Sequence, residues 1–427
     1  MKKVVLIDGC RIPFVKAGTE YRSLMAYQLG KMAIQGLLAK TRLDAKHVES
    51  VVMGTVIHQL RTSNVAREAA LAAGLPFSST CHTVSLACIS ANRAIADAAN
   101  QIALGQAKIV IAGGTDSVSD TPIMFSKSMR QKLFDAQKMK GAGEYLRFAA
   151  SLRPADLVPD RPAIAEFSTG KTMGQDCQVL ADRIGVSRQE QDDFALRSHH
   201  LAALAQREKW FDAEMIAAEF PPKFIPVTRD NGVRGDSTIE KMNALPPAFV
   251  RPNGTITAAN SSFLTDGAAV VLLMEEQTAR EMGFVPKASI KSYCFTAQNP
   301  ADELLLGPAY ATAKVLDQTG LRLQDISVLE FHEAFAAQVL ANLKCLDSDK
   351  FAQEKLGKSH KIGTPDIDTL NLWGGSLSIG HPFGATGSRL VTTAANRLIK
   401  EKGQFALIAS CAAGANGHAM ILERYNV

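Results

Sequence analysis

The chain has 427 residues, 46% hydrophobic and 21% charged, with a net charge of +5. That length calls for two or three domains and excludes a single small core. The charge is too slight for a nucleic-acid footprint, and the hydrophobic content is too high for a disordered chain.

The chain begins in a strand over 4–7, with no apolar signal region and no arginine-rich presequence ahead of it. No apolar run approaches the ~20 residues that span a bilayer. The seven cysteines show no paired spacing, which points to a reducing compartment rather than a disulfide framework. The cytoplasm of a bacterium fits, as does an organelle matrix after removal of a presequence.

Further strands are predicted over 50–52, 80–86, 108–112, 327–330 and 405–409. They alternate with alanine-rich helices, which is the pattern of an α/β fold with covered sheets. Ala98-Ala99-Asn100 precedes the 108–112 strand much as Ala394-Ala395-Asn396 precedes the 405–409 strand. This echo predicts two similar halves that bring their loops to one shared site.

Cys88 opens a helix predicted over about 89–104, where unpaired N–H groups and the helix dipole favour a thiolate. A differently composed stretch follows at 119–172. Its 125–153 section carries Lys127, Arg130, Lys132, Lys138, Lys140, Arg147 and Arg153 against Asp135 and Glu144. Phe125, Met129, Leu133, Phe134, Met139, Leu146 and Phe148 are interleaved. The section reads either as a helical lid or as a basic amphipathic surface for a partner or membrane. Ser187-Arg188-Gln189-Glu190 is a capping box that opens a helix through Ala205.

Three later segments carry chemistry. His332-Glu333-Ala334-Phe335-Ala336 follows a strand, and Ala336 stands where a zincin helix needs its second histidine. His381 sits in a tight turn between Gly380 and Gly384, lacks a P-loop ending, and suits a base that takes a thiol's proton. Cys411 opens a glycine-bearing turn after a strand. With a pKa near ~8.5 it would serve as acid and base, beside N–H groups able to hold an oxyanion.

Taken together these segments resemble the thiolase family, nearly end to end. The resemblance is carried by Leu86-Ala87-Cys88-Ile89-Ser90, the 257–268 segment and His332-Glu333-Ala334-Phe335. Asn371-x-Trp373-Gly374-Gly375, Gly380-His381-Pro382 and Cys411-Ala412-Ala413-Gly414 complete it. It is strongest to the β subunits of fatty-acid-oxidation complexes and their bacterial counterparts.

The resemblance implies two βαβαβαββ halves packed as a layered α/β sandwich with an inserted helical loop domain. The nucleophile half would comprise 1–120 and 240–275, the insert 121–239 and the acid/base half 276–427. It implies thiolysis of 3-ketoacyl-CoA to acetyl-CoA and a shortened acyl-CoA through an acyl-cysteine. Coenzyme A would be a substrate, with no cofactor and no metal.

Cys88 would be the nucleophile, His381 its base and Cys411 the proton carrier. His381 and a water held by His332 would form one oxyanion hole, and the N–H groups of Cys88 and Ala413 the other. Ser262 would touch the pantetheine arm, Arg234 the nucleotide and Met173 the acyl chain. A homodimer is implied, with a hydratase/3-hydroxyacyl-CoA dehydrogenase α subunit as partner and peripheral membrane contact through about 121–160. Alternatives are a biosynthetic acetyl-CoA acetyltransferase and a non-catalytic acyl-CoA or lipid binder. Glycine is the family's usual residue at Ala415, so alanine there would be strained if φ were positive.

Overall fold

Along each strand the side chains alternate between two apolar layers, as a two-residue period requires. In a computed structural model that describes residues 2–160 and 165–426, Val5 and Ile7 enter one buried cluster and Val4 and Leu6 another. The strands are β1 (Val4–Arg11), β2 (Ser50–Gly54), β3 (Thr80–Val84), β4 (Ile109–Asp116) and β5 (Thr265–Glu275). They continue with β6 (Ala288–Ala297), β7 (Val328–Phe331), β8 (Phe405–Ala412) and β9 (Asn416–Arg424). Their order is β3-β2-β4-β5-β1 in the first half and β7-β8-β9-β6 in the second. Among the described residues, the strand pairs Val5–Ser289 and Leu6–Ala288 join the two.

Five layers result. Helices α1 (Ala26–Thr41) and α2 (Val65–Ala73) cover the outer face of the first sheet. Between the sheets lie α3 (Ser90–Ala103) and, named out of turn as α10, its counterpart Thr386–Lys400. The outer face of the second sheet is covered by α8 (Gly307–Thr319) and α9 (Ala336–Leu346). The two central helices touch closely, because a Cβ at Gly387 would collide with the Asn92 side chain.

The insert between β4 and β5 holds α4 (Lys127–Ala136), α5 (Ala142–Ser151), α6 (Met173–Ile184) and α7 (Arg188–Arg207). Residues 161–164 of the expected 119–172 stretch lie outside the described residues. At α7 the capping box is formed: the Ser187 hydroxyl accepts from the Glu190 N–H at 3.2 Å, and Glu190 accepts from the Ser187 N–H at 2.7 Å. The helix runs two residues beyond Ala205.

A lid folded down on its apolar side is not what α4 and α5 form. Within these helices only Met129 is buried, while Phe134 is 62% and Leu146 71% exposed. Among the described residues, no helix is long and apolar enough to cross a membrane.

Candidate active site

The nucleophile turn is set by backbone strain and one serine. Ala87 adopts a left-handed φ of 45°, a conformation that costs a non-glycine residue roughly 1–2 kcal/mol. The Ser90 hydroxyl holds the turn, accepting from the Leu86 N–H and donating to the Ala87 carbonyl, both at 2.7 Å. Cys88 is thereby placed at the mouth of α3 with its sulfur facing the N–H groups of Ala413 and of Cys88 itself.

Those N–H groups do not make a resting thiolate. Burial pushes the Cys88 thiol up to about 11, outweighing the two hydrogen bonds. The expected thiolate is therefore replaced by a neutral thiol, because the sulfur loses more solvation than the helix end returns.

Gly380 supports the base. Its φ of 109° suits glycine, and a Cβ there would lie 2.7 Å from Thr265 Oγ1. That same oxygen accepts the His381 N–H at 3.0 Å. His381 Nδ1 lies 2.7 Å from Thr386 Oγ1. Burial, reinforced by Arg389, lowers its pKa to about 3, so the ring is neutral at pH 7. His332 is buried beside it with ring centroids 4.1 Å apart. Burial first, then His381 and Arg389, hold His332 well below the usual histidine range.

Cys411 ends β8 and is buried. Burial, then the neighbouring Cys88, push its thiol well above the ordinary range. This direction departs from the expected value near the reference, because burial strips the thiolate of its solvation. In the turn that follows, Ala415 has φ 55°, so the alanine is in the strained region.

Cys88 Sγ, one nitrogen of His332 and one of His381 lie within 4.8 Å of one another. Such a trio has the chemistry of a zinc site, but a metal bound there would occupy the thiol. These shifts favour the neutral thiol at Cys88 and neutral rings at His332 and His381 near pH 7.

A cavity of about 460 Å³ opens on this cluster, lined by Cys88, His381, Cys411, Ala413, Met173 and Ser262. Phe249, Phe263 and Phe335 make its walls apolar. An adjoining cavity of about 500 Å³ shares Ala258 and Phe263 with it. Lys16, Arg234 and Lys241 line that second space with only Asp236 of opposite charge. The pair suits an acyl group at one end and a phosphorylated carrier at the other. His332 lies behind His381 rather than on the wall.

Several supporting contacts escaped the sequence reading. Glu333 accepts from Ser198 Oγ at 2.8 Å and Asn371 Nδ2 at 2.7 Å, tying the His332 turn to the 371–376 segment. Asp116 accepts from the N–H groups of Val56, Ile57 and Gly384, joining the His381 turn to the first half. Ser376 and Thr386 hold the two imidazoles. Their only signal was proximity, each five residues from His381.

An apolar cavity lined by two thiols and an imidazole suits the chemistry of an acyltransferase. The chain belongs to the thiolase family. Residues 4–277 match the thiolase N-terminal domain and residues 284–424 the C-terminal domain. It is 51% identical to the mitochondrial trifunctional enzyme subunit beta of Mus musculus, covering 100% of this chain and 89% of that protein. A 3-ketoacyl-CoA thiolase of Yersinia pestis is 43% identical, with 99% and 97% covered. The crystal structure of the Bacillus anthracis acetyl-CoA acetyltransferase superposes with a TM-score of 0.85 at 30% identity, covering 100% and 99%. Human mitochondrial 3-ketoacyl-CoA thiolase gives 0.84 at 26%, with the same coverage.

Proposed function

We infer that this chain is a 3-ketoacyl-CoA thiolase of fatty-acid oxidation, acting by a ping-pong mechanism through an acyl-cysteine. The observation that carries this reading is one apolar cavity holding Cys88, His381 and Cys411, with two N–H groups on the Cys88 sulfur.

As Cys88 Sγ attacks C3 of the substrate, its proton passes to neutral His381. Proton transfer accompanies attack because neither group is charged at rest. The N–H groups of Cys88 and Ala413 hold one oxyanion, and His381 with a water held by His332 the other. The C2–C3 bond breaks, Cys411 protonates C2, and acetyl-CoA leaves. The Cys411 thiolate then deprotonates incoming CoA, whose sulfur takes the acyl group from Cys88. The departing Cys88 recovers its proton from His381. Coenzyme A is a substrate, and no metal or cofactor enters.

Ser262 and Met173 line the acyl cavity, as contacts to pantetheine and acyl chain require, while Arg234 lines the cationic space suited to the nucleotide. Thiolysis rates over a C4 to C16 3-ketoacyl-CoA series test the assignment. Activity on medium and long chains is expected; activity on C4 alone would favour an acetyl-CoA acetyltransferase, the reading supported by the Bacillus anthracis likeness.

The mouse relative is named as a subunit of a trifunctional enzyme. We place a hydratase/dehydrogenase α subunit, and peripheral membrane contact, on the exposed apolar and basic faces of α4 and α5. The outer edge of β3, flanked by exposed Phe77, suits pairing with a second copy in a homodimer. All seven cysteines are free, consistent with the bacterial cytoplasm or a mitochondrial matrix.

A further inference from the structure

We propose that Ser376 and Arg389 are positioning residues that fix His332 as an Nε2–H donor, opposite in tautomer to His381. The catalytic consequence rests on the thiolase reading; the tautomers themselves do not.

The assignment follows from counting hydroxyl protons, since each hydroxyl has one to give. Thr386 Oγ1 lies 2.9 Å from the Pro382 carbonyl and 2.7 Å from His381 Nδ1. Both bonds form only if the threonine donates to the carbonyl and accepts from Nδ1–H. His381 Nε2 is then a bare lone pair, the form a base needs.

Ser376 reverses the logic. Its Oγ accepts from Arg389 Nη2 at 2.9 Å and lies 3.1 Å from His332 Nδ1. Among the described residues, those are the hydrogen-bond partners of this fully buried hydroxyl. If Nδ1 carried the proton, the serine proton would be buried without an acceptor, which costs roughly 1–3 kcal/mol. Donation from Ser376 to Nδ1 satisfies every group and places the ring proton on Nε2.

Arg389 strengthens this arrangement. It is fully buried, with Glu330 Oε2 3.6 Å from Nη1. Its charge polarises the serine O–H toward the imidazole and disfavours an imidazolium at either ring. Both Nε2 atoms are buried and lack protein partners, so each is free for substrate or water. One ring accepts a proton while its neighbour donates a hydrogen bond, through one water, to the oxygen that gains charge. Two rings in the same tautomer would supply two bases or two donors.

Long-range proton–nitrogen NMR of ¹⁵N-histidine-labelled enzyme tests this, with His332→Gln and His381→Gln spectra assigning the signals. In the free enzyme His332 is expected to carry its proton on Nε2 and His381 on Nδ1. Matching tautomers would overturn the proposal. In Ser376→Ala the His332 pattern should shift toward Nδ1–H, with kcat falling about tenfold or more and KM nearly constant. Ser376→Thr should restore both. An unshifted His332 pattern in Ser376→Ala, or unchanged kcat, would also overturn it. Wild-type enzyme that cleaves no 3-ketoacyl-CoA but shows opposed tautomers would instead sink the functional reading alone.

Discussion

The two halves share one plan and differ at one edge. In the first half β3 is a full strand paired along β2; in the second, the equivalent position beside β7 is reduced to the single bridge Leu329–Leu370. Among the described residues the first half thereby keeps a strand edge free, and its loop before α3 brings Cys88 to the cavity. In the second half the chain after Leu370 runs into Asn371, Trp373 and Ser376. The side chains of Asn371 and Ser376 hold the His332 turn. Where the second half has a single bridge in place of that strand, its chain goes on to support the His332 turn.

The sharpest way to break this division of labour is Cys88→Ala. Turnover should fall about a millionfold, the scale for loss of a nucleophile, while calorimetry still detects binding of an acyl-CoA. Retained turnover would remove Cys88 from the chemistry.

Cys411→Ala should cost about 10²–10⁴ in both half-reactions, and mass spectrometry should find acyl-Cys88 accumulating. An effect on only one half-reaction would break the shared proton carrier.

A third test concerns charge. Because the Cys88 thiol sits near 11 and His381 near 3, the free enzyme holds no thiolate–imidazolium pair at neutral pH. Iodoacetamide alkylation of Cys88 should rise about tenfold per pH unit through pH 6–9, as the thiolate fraction does below a pKa. A plateau across that range would show a preformed ion pair.

The smallest effect is structural. Ala415→Gly relieves a left-handed alanine and should stabilise the fold by about 1 kcal/mol, measured by denaturant unfolding.

Much of the second half was legible because its motifs are short and local. His332 follows one apolar strand and Cys411 lies near the end of another, and the repeated Ala-Ala-Asn helices announced the duplicated plan. Protonation states were not legible. The helix-end argument for Cys88 is sound locally, but Phe249, Phe263, Phe335 and the packed cysteines supply a desolvation that no local motif encodes. The roles of Glu333, Asp116 and Arg389 also depend on partners 13 to 268 residues away. The exposed faces of α4 and α5 read correctly as amphipathic and basic, yet only tertiary structure showed that their apolar side is uncovered.

If α4 and α5 form a docking surface, deleting 121–160 should abolish co-purification with a hydratase/dehydrogenase α subunit, and undiminished association would remove that surface from the account.

The most direct measurement is a rapid-quench experiment with a long-chain 3-ketoacyl-CoA and no free CoA. Peptide mass spectrometry should find the shortened acyl group on Cys88, with one acetyl-CoA released per site. An adduct on Cys411, or acetyl-CoA release without any adduct, would contradict it.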